Sequence, residues 1–84
     1  MLLEFYGEEC PHCVNMRILT EKLEKEEGVK IERLEVWHNL ENEKKMEEYD
    51  KGLCGGVPFF YNTDNNKFVC GEAGYEELKE WVTK

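Results

Sequence analysis

Two cysteines separated by a proline and a histidine stand near the start of the chain, in the stretch GEECPHC at residues 7–13. A thiol pair at this spacing is suited to reversible disulfide exchange, to half of a metal site or to a structural disulfide. Cys10 and Cys13 form this pair, and Cys54 and Cys70 are the other two cysteines of the chain. The strands and helices that position Cys10 and Cys13 indicate which of these three uses applies.

The pair lies between a predicted strand and a predicted helix. LLEFY at 2–6 is a short apolar and aromatic run, typical of a buried strand. Pro11 suits the first turn of a helix, where its missing N–H costs nothing, and Gly28 supplies a stop, which predicts a helix over about 11–27. The apolar residues that recur at helical spacing are Val14, Ile18, Leu19 and Leu23.

Cys10, at the start of this helix, is the predicted nucleophile. The first backbone N–H groups of a helix and its dipole favour an anion, so they stabilise a thiolate at Cys10, which we expect to be exposed. Cys13 lies one turn later, points inward and is close enough to resolve a mixed disulfide on Cys10. Pro11 stiffens the turn, and a protonated His12 would stabilise the thiolate further, which makes the disulfide a stronger oxidant.

The rest of the pattern predicts an α/β domain in the order β-α-β-α-β-β-α. VKIERLEVWH at 29–38 predicts a second strand, and Asn39 is a suitable N-cap for a short polar helix through about Lys51. VPFFY and KFVC predict a hairpin across the turn NTDNN, and a helix near 73–83 follows. We expect strands 1 and 2 to be parallel, the hairpin to lie on the other side of strand 1, and helices to cover both faces of a four-stranded sheet. This predicts one domain over 1–84.

The bulk composition excludes several classes of function. The net charge of −8 repels phosphate backbones and anionic lipid, which argues against nucleic-acid and membrane-surface roles. No apolar run approaches the ~20 residues that span a bilayer. The N-terminus has neither the basic region nor the apolar segment of a signal peptide, so we expect a cytoplasmic protein. We further expect a monomer without a cofactor.

The motifs resemble those of the thioredoxin and glutaredoxin superfamily. EFYGEECPHC looks like the thioredoxin pattern that leads into its CxxC, and GGVPFF is similar to the family's Gly-Ile/Val-Pro segment. FVCGEAGYEELKEWV resembles the end of the fourth strand, its glycine and the final helix. The three blocks stand in the family's order. The resemblance implies a minimal thioredoxin fold of glutaredoxin size, and a redox-active CxxC that carries electrons between thiol partners.

The resemblance also implies a substrate-binding segment. Pro58 would be the cis-proline that lies against the CxxC, leaving the backbone of Val57 free to pair with an extended segment of the substrate. Gly56 precedes them in the same motif. Gly71 would match the family's glycine after strand 4, which packs close to the active site.

Glu4 stands where thioredoxins place a buried carboxylic acid, six residues before Cys10. Burial raises a carboxyl pKa, which would equip Glu4 to exchange a proton with Cys13 through water. The alternative is a solvent-facing strand residue without a role.

The chain departs from glutaredoxins just before the motif, where Glu8 and Glu9 replace the usual basic residue. Two carboxylates there disfavour glutathione, itself a dicarboxylate, and favour protein dithiol or disulfide partners together with a reductase. His38, at the end of the second strand, is interpreted as an ordinary surface or edge histidine.

Cys54 and Cys70 admit three interpretations. Pairing the hairpin strands places Cys70 roughly opposite Phe59, near the same end of the sheet as Cys10. The two thiols would then be buried and free, which we favour, or joined in a second disulfide, or part of a zinc site with Cys10 and Cys13.

The sequence thus predicts a thiol–disulfide oxidoreductase that forms a mixed disulfide on Cys10. The alternative function is a non-catalytic redox-sensing or zinc-binding module that combines the CxxC with Cys54 and Cys70.

Overall fold

A computed structural model describes residues 1–83 as an α/β structure in the predicted order β-α-β-α-β-β-α. The described part of the chain contains three helices and four strands. Their bounds are β1 Leu2–Tyr6, α1 Pro11–Glu27, β2 Ile31–Glu35, α2 Leu40–Asp50, β3 Phe59–Asn62, β4 Phe68–Cys70 and α3 Tyr75–Val82. Within residues 1–83, no helix has both the length and the apolar character needed to cross a membrane.

The four strands form one mixed sheet in the order β2-β1-β3-β4. β1 runs parallel to β2 and antiparallel to β3, and β4 completes the hairpin with β3. The predicted topology is confirmed, including the pairing of Cys70 with Phe59. Because β1 is central, its carboxyl end delivers the CPHC stretch to the middle of one edge of the sheet.

The sheet is packed on both faces, because successive side chains of β1 point to opposite sides. On one face, α1 and α3 cover Leu2, Ile31, Phe60 and Val69 with Met16, Leu23, Leu78 and Trp81. On the other face, Leu3, Phe5 and Phe59 pack with Val36 and with Met46 of α2. Glu4 therefore shares its side of β1 with Leu2 and lies beneath α1.

The buried face of α1 contains only some of the apolar residues that recur at helical spacing in the sequence. Val14 and Ile18 are 61 % and 72 % exposed, whereas Leu23 is fully buried. The buried positions are Cys13, Met16, Thr20 and Leu23. Their spacing of three, four and three residues is that of one helix face, but the polar Thr20 breaks the apolar pattern in the sequence.

The ends of the helices follow ordinary capping chemistry. Gly28 ends α1 in the left-handed conformation at φ 65°, which glycine adopts without a steric penalty. Asn39 caps α2 as predicted, accepting a hydrogen bond from the N–H of Asn42. The strand predicted over 29–38 is shorter, since β2 ends at Glu35 and the chain turns there toward α2.

Candidate functional site

Cys10 is the N-cap of α1. Its backbone is extended, and its Sγ accepts a hydrogen bond from the N–H of Cys13 at 3.2 Å. The carbonyl of Cys10 accepts the N–H of Val14 at 3.1 Å and so begins the helix. The sulfur thus lies at the positive end of the helix, where a backbone donor is already directed at it.

Cys10 is covered rather than exposed. Its exposed fraction is 3 %, so the prediction of an exposed nucleophile is wrong for this state of the protein. The carbonyl oxygen of Val57 lies 4.0 Å from Cys10 Sγ. The Val57–Pro58 peptide bond is cis, and the carbonyl of Pro58 accepts the N–H of Gly71 at 2.8 Å. The segment that precedes β3 therefore lies against the sulfur and is fixed to the residue after β4.

Cys13 is also buried, and its pKa is raised to about 12. Burial is the main cause, because it penalises the charged thiolate. A hydrogen bond to Cys10 and the negative charges of Cys10 and Glu4 act in the same direction, against a backbone hydrogen bond from Gly7. Cys13 is therefore a neutral thiol at physiological pH.

Glu4 is 1 % exposed, so the alternative of a solvent-facing strand residue is wrong. Burial raises the pKa of its carboxyl group, while the charges of Arg33 and Arg17 oppose that shift. Arg33 Nε lies 3.2 Å from Glu4 Oε1, but its N–H is not aligned for a hydrogen bond. Both carboxylate oxygens lack a hydrogen-bond partner among the described residues, which leaves them available to a proton or to water.

Arg33 is a site residue that the sequence reasoning missed. It also lies 3.2 Å from Glu24 Oε1 and donates to the hydroxyl of Thr20 at 2.9 Å. Its place opposite Glu4 follows from the parallel register of β1 and β2. Aligning the two predicted strands would have revealed this pair of opposite charges.

His12 points toward an acidic partner on the protein surface. Its side chain is 66 % exposed, and Nδ1 lies 3.2 Å from Glu72 Oε1. Asn15 donates to the same carboxylate oxygen, and together the Asn15 amide and His12 lower the pKa of Glu72. The influence of His12 on the Cys10 thiolate stays a prediction, and the contact that the structure gives the His12 ring is with Glu72.

Glu8 and Glu9, the two glutamates before Cys10, form an acidic patch that we call the acidic rim. His38 Nε2 lies 2.8 Å from both carboxylate oxygens of Glu9, which raises the pKa of His38. Glu35 accepts the N–H groups of Glu8, Trp37 and His38. Desolvation would raise the pKa of Glu35, but these hydrogen bonds outweigh it and lower the pKa. His38 is thus a surface residue that pairs with the rim.

Metal-ligating side chains come together in one place within residues 1–83. Glu8, Glu9 and His38 bring their ligand atoms within 4.8 Å of one another, and all three are exposed. The four cysteines form no such group in the described part of the chain. The interpretation of a zinc site built from both cysteine pairs is therefore wrong for this state.

Cys54 and Cys70 are joined in a disulfide, with their Cα atoms 5.5 Å apart. The favoured interpretation of two buried free thiols is wrong, because the loop after α2 brings Cys54 to the end of β4. Cys10 and Cys13 are the free cysteines. The molecule therefore presents one dithiol and one disulfide near the same end of the sheet.

Two open grooves lie on either side of the turn at Gly7. One, of about 680 Å³, runs between α2 and the segment before β3 and includes Val57, and the other, of about 670 Å³, includes Cys13 and Arg17. Trp37 borders the first groove and Gly7 the second, and the ring of Trp37 packs on Gly7. A Cβ at Gly7 would lie 2.2 Å from Trp37 Cδ2, so this contact requires glycine.

Of the comparisons with known proteins, the one with solved structures found a protein of similar fold. No family model matches the sequence, and no curated protein matches it. Among solved structures, the chain is similar to the glutaredoxin grx-1 from Archaeoglobus fulgidus, with 26 % sequence identity. The similarity covers 99 % of this chain and 86 % of that one, with a TM-score of 0.68. The thioredoxin-like fold is confirmed, and the likeness supports a redox protein of the thiol–disulfide kind.

Proposed function

We propose that this protein is a thiol–disulfide oxidoreductase that acts on protein partners through a mixed disulfide on Cys10. The observation that carries the proposal is the N–H of Cys13 directed at Cys10 Sγ at the start of α1. A thiolate is the nucleophile of disulfide exchange, and a helix N-terminus stabilises it. The similarity to a glutaredoxin structure supports the same chemistry.

The exchange proceeds in two steps that balance electrons. The Cys10 thiolate attacks a disulfide of the partner, which forms a mixed disulfide and releases one partner thiolate. Cys13 then loses its proton and attacks Cys10 Sγ, which forms the Cys10–Cys13 disulfide and releases the second partner thiol. The partner gains two electrons and the protein loses two, and a reductase restores the dithiol.

Glu4 takes the proton that Cys13 must lose in the second step. A thiol whose pKa is about 12 needs a base close to it, since thiolate forms too rarely without one. Glu4 is buried, and its charge already acts on Cys13. Burial raises the pKa of Glu4, which brings the two groups closer in proton affinity.

The segment Gly56–Val57–Pro58 holds the partner. Val57 lies against Cys10 Sγ and borders one of the two grooves, so an extended segment beside it would bring its own cysteine to the nucleophile. Gly71 anchors this segment through its hydrogen bond to the Pro58 carbonyl.

The acidic rim supports protein partners over glutathione. Glu8 and Glu9 precede Cys10, and Glu72 lies beside His12 on the other flank. Their charges repel a small dicarboxylate, whereas a protein partner can present neutral or basic residues around its cysteines.

The test compares two variants that each remove one sulfur. With insulin as the disulfide substrate, Cys13→Ser is expected to accumulate a covalent mixed disulfide that is visible by intact mass and removed by dithiothreitol. Cys10→Ser is expected to form no adduct and to lose turnover. Turnover retained by Cys10→Ser, or absence of an adduct with Cys13→Ser, would refute the proposed mechanism.

A further inference from the structure

The segment that covers Cys10 is exposed along most of its length, and only Cys54 and Val57 pack against the core on the α2 side of the sheet. Residues 51–57 connect α2 to the cis peptide bond, and Val57 places its carbonyl 4.0 Å from Cys10 Sγ. Two glycines of this segment, Gly52 and Gly55, have positive φ, and neither is crowded by neighbouring atoms. Apart from the packing of Cys54 and Val57, the segment therefore depends on its anchors.

Two anchors fix this segment at Cys54. The buried carboxylate of Asp50 accepts the N–H of Cys54 and, at 2.9 Å, the N–H of Gly55. The Cys54–Cys70 disulfide ties the same residue to the end of β4. Of the two, only the disulfide links the segment to the sheet.

We propose that Cys54 and Cys70 form a second redox site, whose disulfide clamps residues 51–57 over Cys10 and whose reduction by a dithiol opens access to Cys10. Cys70 is exposed and Cys54 half-buried, so an incoming thiolate can reach the Cys70 sulfur. The redox site stands independently of the proposed function, while the control of access rests on Cys10 being the nucleophile.

The reduction is an ordinary thiol exchange. A thiolate of the dithiol attacks Cys70 Sγ, the Cys54–Cys70 bond breaks, and Cys54 leaves as a thiolate that takes up a proton. The second thiol of the reductant then attacks the reductant sulfur that is bonded to Cys70, which releases Cys70 as a thiol. The reductant ends as a disulfide, and Cys54 and Cys70 each end as a thiol, so two electrons and two protons are transferred.

Reduction leaves the Asp50 hydrogen bonds in place but removes the link to β4. Val57 lies three residues after Cys54, so freedom at Cys54 is transmitted to the carbonyl that covers Cys10. Pro58 remains fixed through Gly71, which makes 51–57 a flap anchored at both ends. The protein would then react faster through Cys10 under reducing conditions, when the second pair is open.

The first experiment tests the redox site in the full chain carrying Cys10→Ala and Cys13→Ala, where Cys54 and Cys70 are the remaining cysteines. Dithiothreitol without denaturant is expected to yield two thiols per chain, and hydrogen exchange across 51–57 is expected to accelerate by at least about tenfold. Thiols that appear only after denaturation, or exchange that does not change on reduction, would overturn the proposal.

The second experiment tests access, with alkylation of Cys10 by iodoacetamide as the readout. The full chain with Cys13→Ala keeps Cys10 as a single free thiol beside the intact disulfide. Adding Cys54→Ser and Cys70→Ser is expected to accelerate alkylation by at least about tenfold, because the covering segment is released. Equal rates would overturn the control of access. Alkylation requires no turnover, so this result is separate from the outcome with insulin.

A matched control separates local release from general loss of stability. Leu23→Ala, in the Cys13→Ala chain, removes a fully buried side chain of the core between the sheet, α1 and α3. It destabilises the protein but leaves the clamp closed, so the alkylation rate of Cys10 is expected to stay unchanged. An equal acceleration by Leu23→Ala would show that the clamp has no specific role.

Discussion

The two cysteine pairs of this chain meet at one end of the sheet in opposite redox states. Cys10 and Cys13 are three residues apart, free and buried at the start of a helix. Cys54 and Cys70 are 16 residues apart and bonded, between a loop and a strand end. The first pair owes its geometry to one helical turn, whereas the second depends on how the loop after α2 crosses to β4.

This difference separates two uses of the same side chain. In the first pair the backbone supplies a donor to one sulfur, and burial keeps the other protonated, so the two thiols differ in reactivity. In the second pair no such asymmetry is needed, because the bond itself restrains the chain. This comparison can be tested by measuring the reactivity of the first pair and by removing the bond of the second. The expected effects are given from the largest to the smallest.

The protonation of Cys13 is expected to show the largest effect. With a pKa of about 12, its thiolate fraction at pH 8 is about 10⁻⁴, roughly 10³-fold below that of an ordinary cysteine. In the Cys54→Ser/Cys70→Ser background, native Cys13 should therefore be alkylated about 10³-fold more slowly than in the unfolded chain. Peptide mapping of iodoacetamide-treated protein measures both rates.

The pH dependence has a definite sign. Because the pKa is raised on folding, the protonated thiol favours the folded state, and this stabilisation is lost as pH rises from about 9 through about 12. The alkylation rate of native Cys13 should rise about tenfold per pH unit between pH 8 and 11. A plateau below pH 10 would contradict the raised pKa.

The Cys54–Cys70 disulfide is expected to supply the next largest effect, on stability. Closing a loop of this length removes about 3 kcal/mol of chain entropy from the unfolded state, about 150-fold in the unfolding equilibrium. Urea unfolding of the Cys10→Ala/Cys13→Ala protein, with and without dithiothreitol, isolates this contribution. An unchanged free energy of unfolding on reduction would show that the bond does not restrain the chain.

Glu4→Gln is expected to have a smaller effect, on the resolving step. If Glu4 accepts the proton of Cys13, its loss should slow decay of the mixed disulfide by about tenfold at pH 7. Glu24→Gln is the matched control, because it also removes a carboxylate partner of Arg33 but leaves the buried acid in place. An unchanged rate with Glu4→Gln would remove Glu4 from the mechanism.

The same variant reports on the burial of Glu4. Its pKa is raised on folding, so the wild type loses stability as pH rises through that pKa, whereas glutamine cannot ionise. The free energy of unfolding of Glu4→Gln, relative to that of the wild type, should therefore increase from pH 4 to pH 8. A constant difference would show that Glu4 titrates alike in the folded and unfolded chains.

The elements near the first pair were predictable because each rests on local signals. Pro11 and Gly28 bound α1, Asn39 caps α2, and strand pairing sets Cys70 opposite Phe59. These features require only a few neighbouring residues or one strand register.

The rotation of α1 against the sheet and the path of the loop before β3 could not be predicted from the sequence, for a physical reason. Whether Val14 is buried depends on how α1 rotates against the sheet, and the polar Thr20 on the buried face obscures that rotation. The cover over Cys10 and the bond between Cys54 and Cys70 depend on the path of a glycine-rich loop, which no periodicity encodes. The second pair is therefore the part of the site that required the structure.

The acidic rim is expected to give the smallest effect, and it distinguishes the partners of the first pair. In Glu8→Gln/Glu9→Gln, exchange of Cys10 with glutathione disulfide should accelerate by about threefold, because two exposed charges that repel it are removed. The neutral hydroxyethyl disulfide should react at an unchanged rate, and the difference should shrink as salt is added. Glu76→Gln/Glu77→Gln, the same change of charge in the first turn of α3, is the matched control. Acceleration by both double variants would trace the effect to net charge rather than to the rim, and acceleration by neither would leave the preference for protein partners without an electrostatic basis.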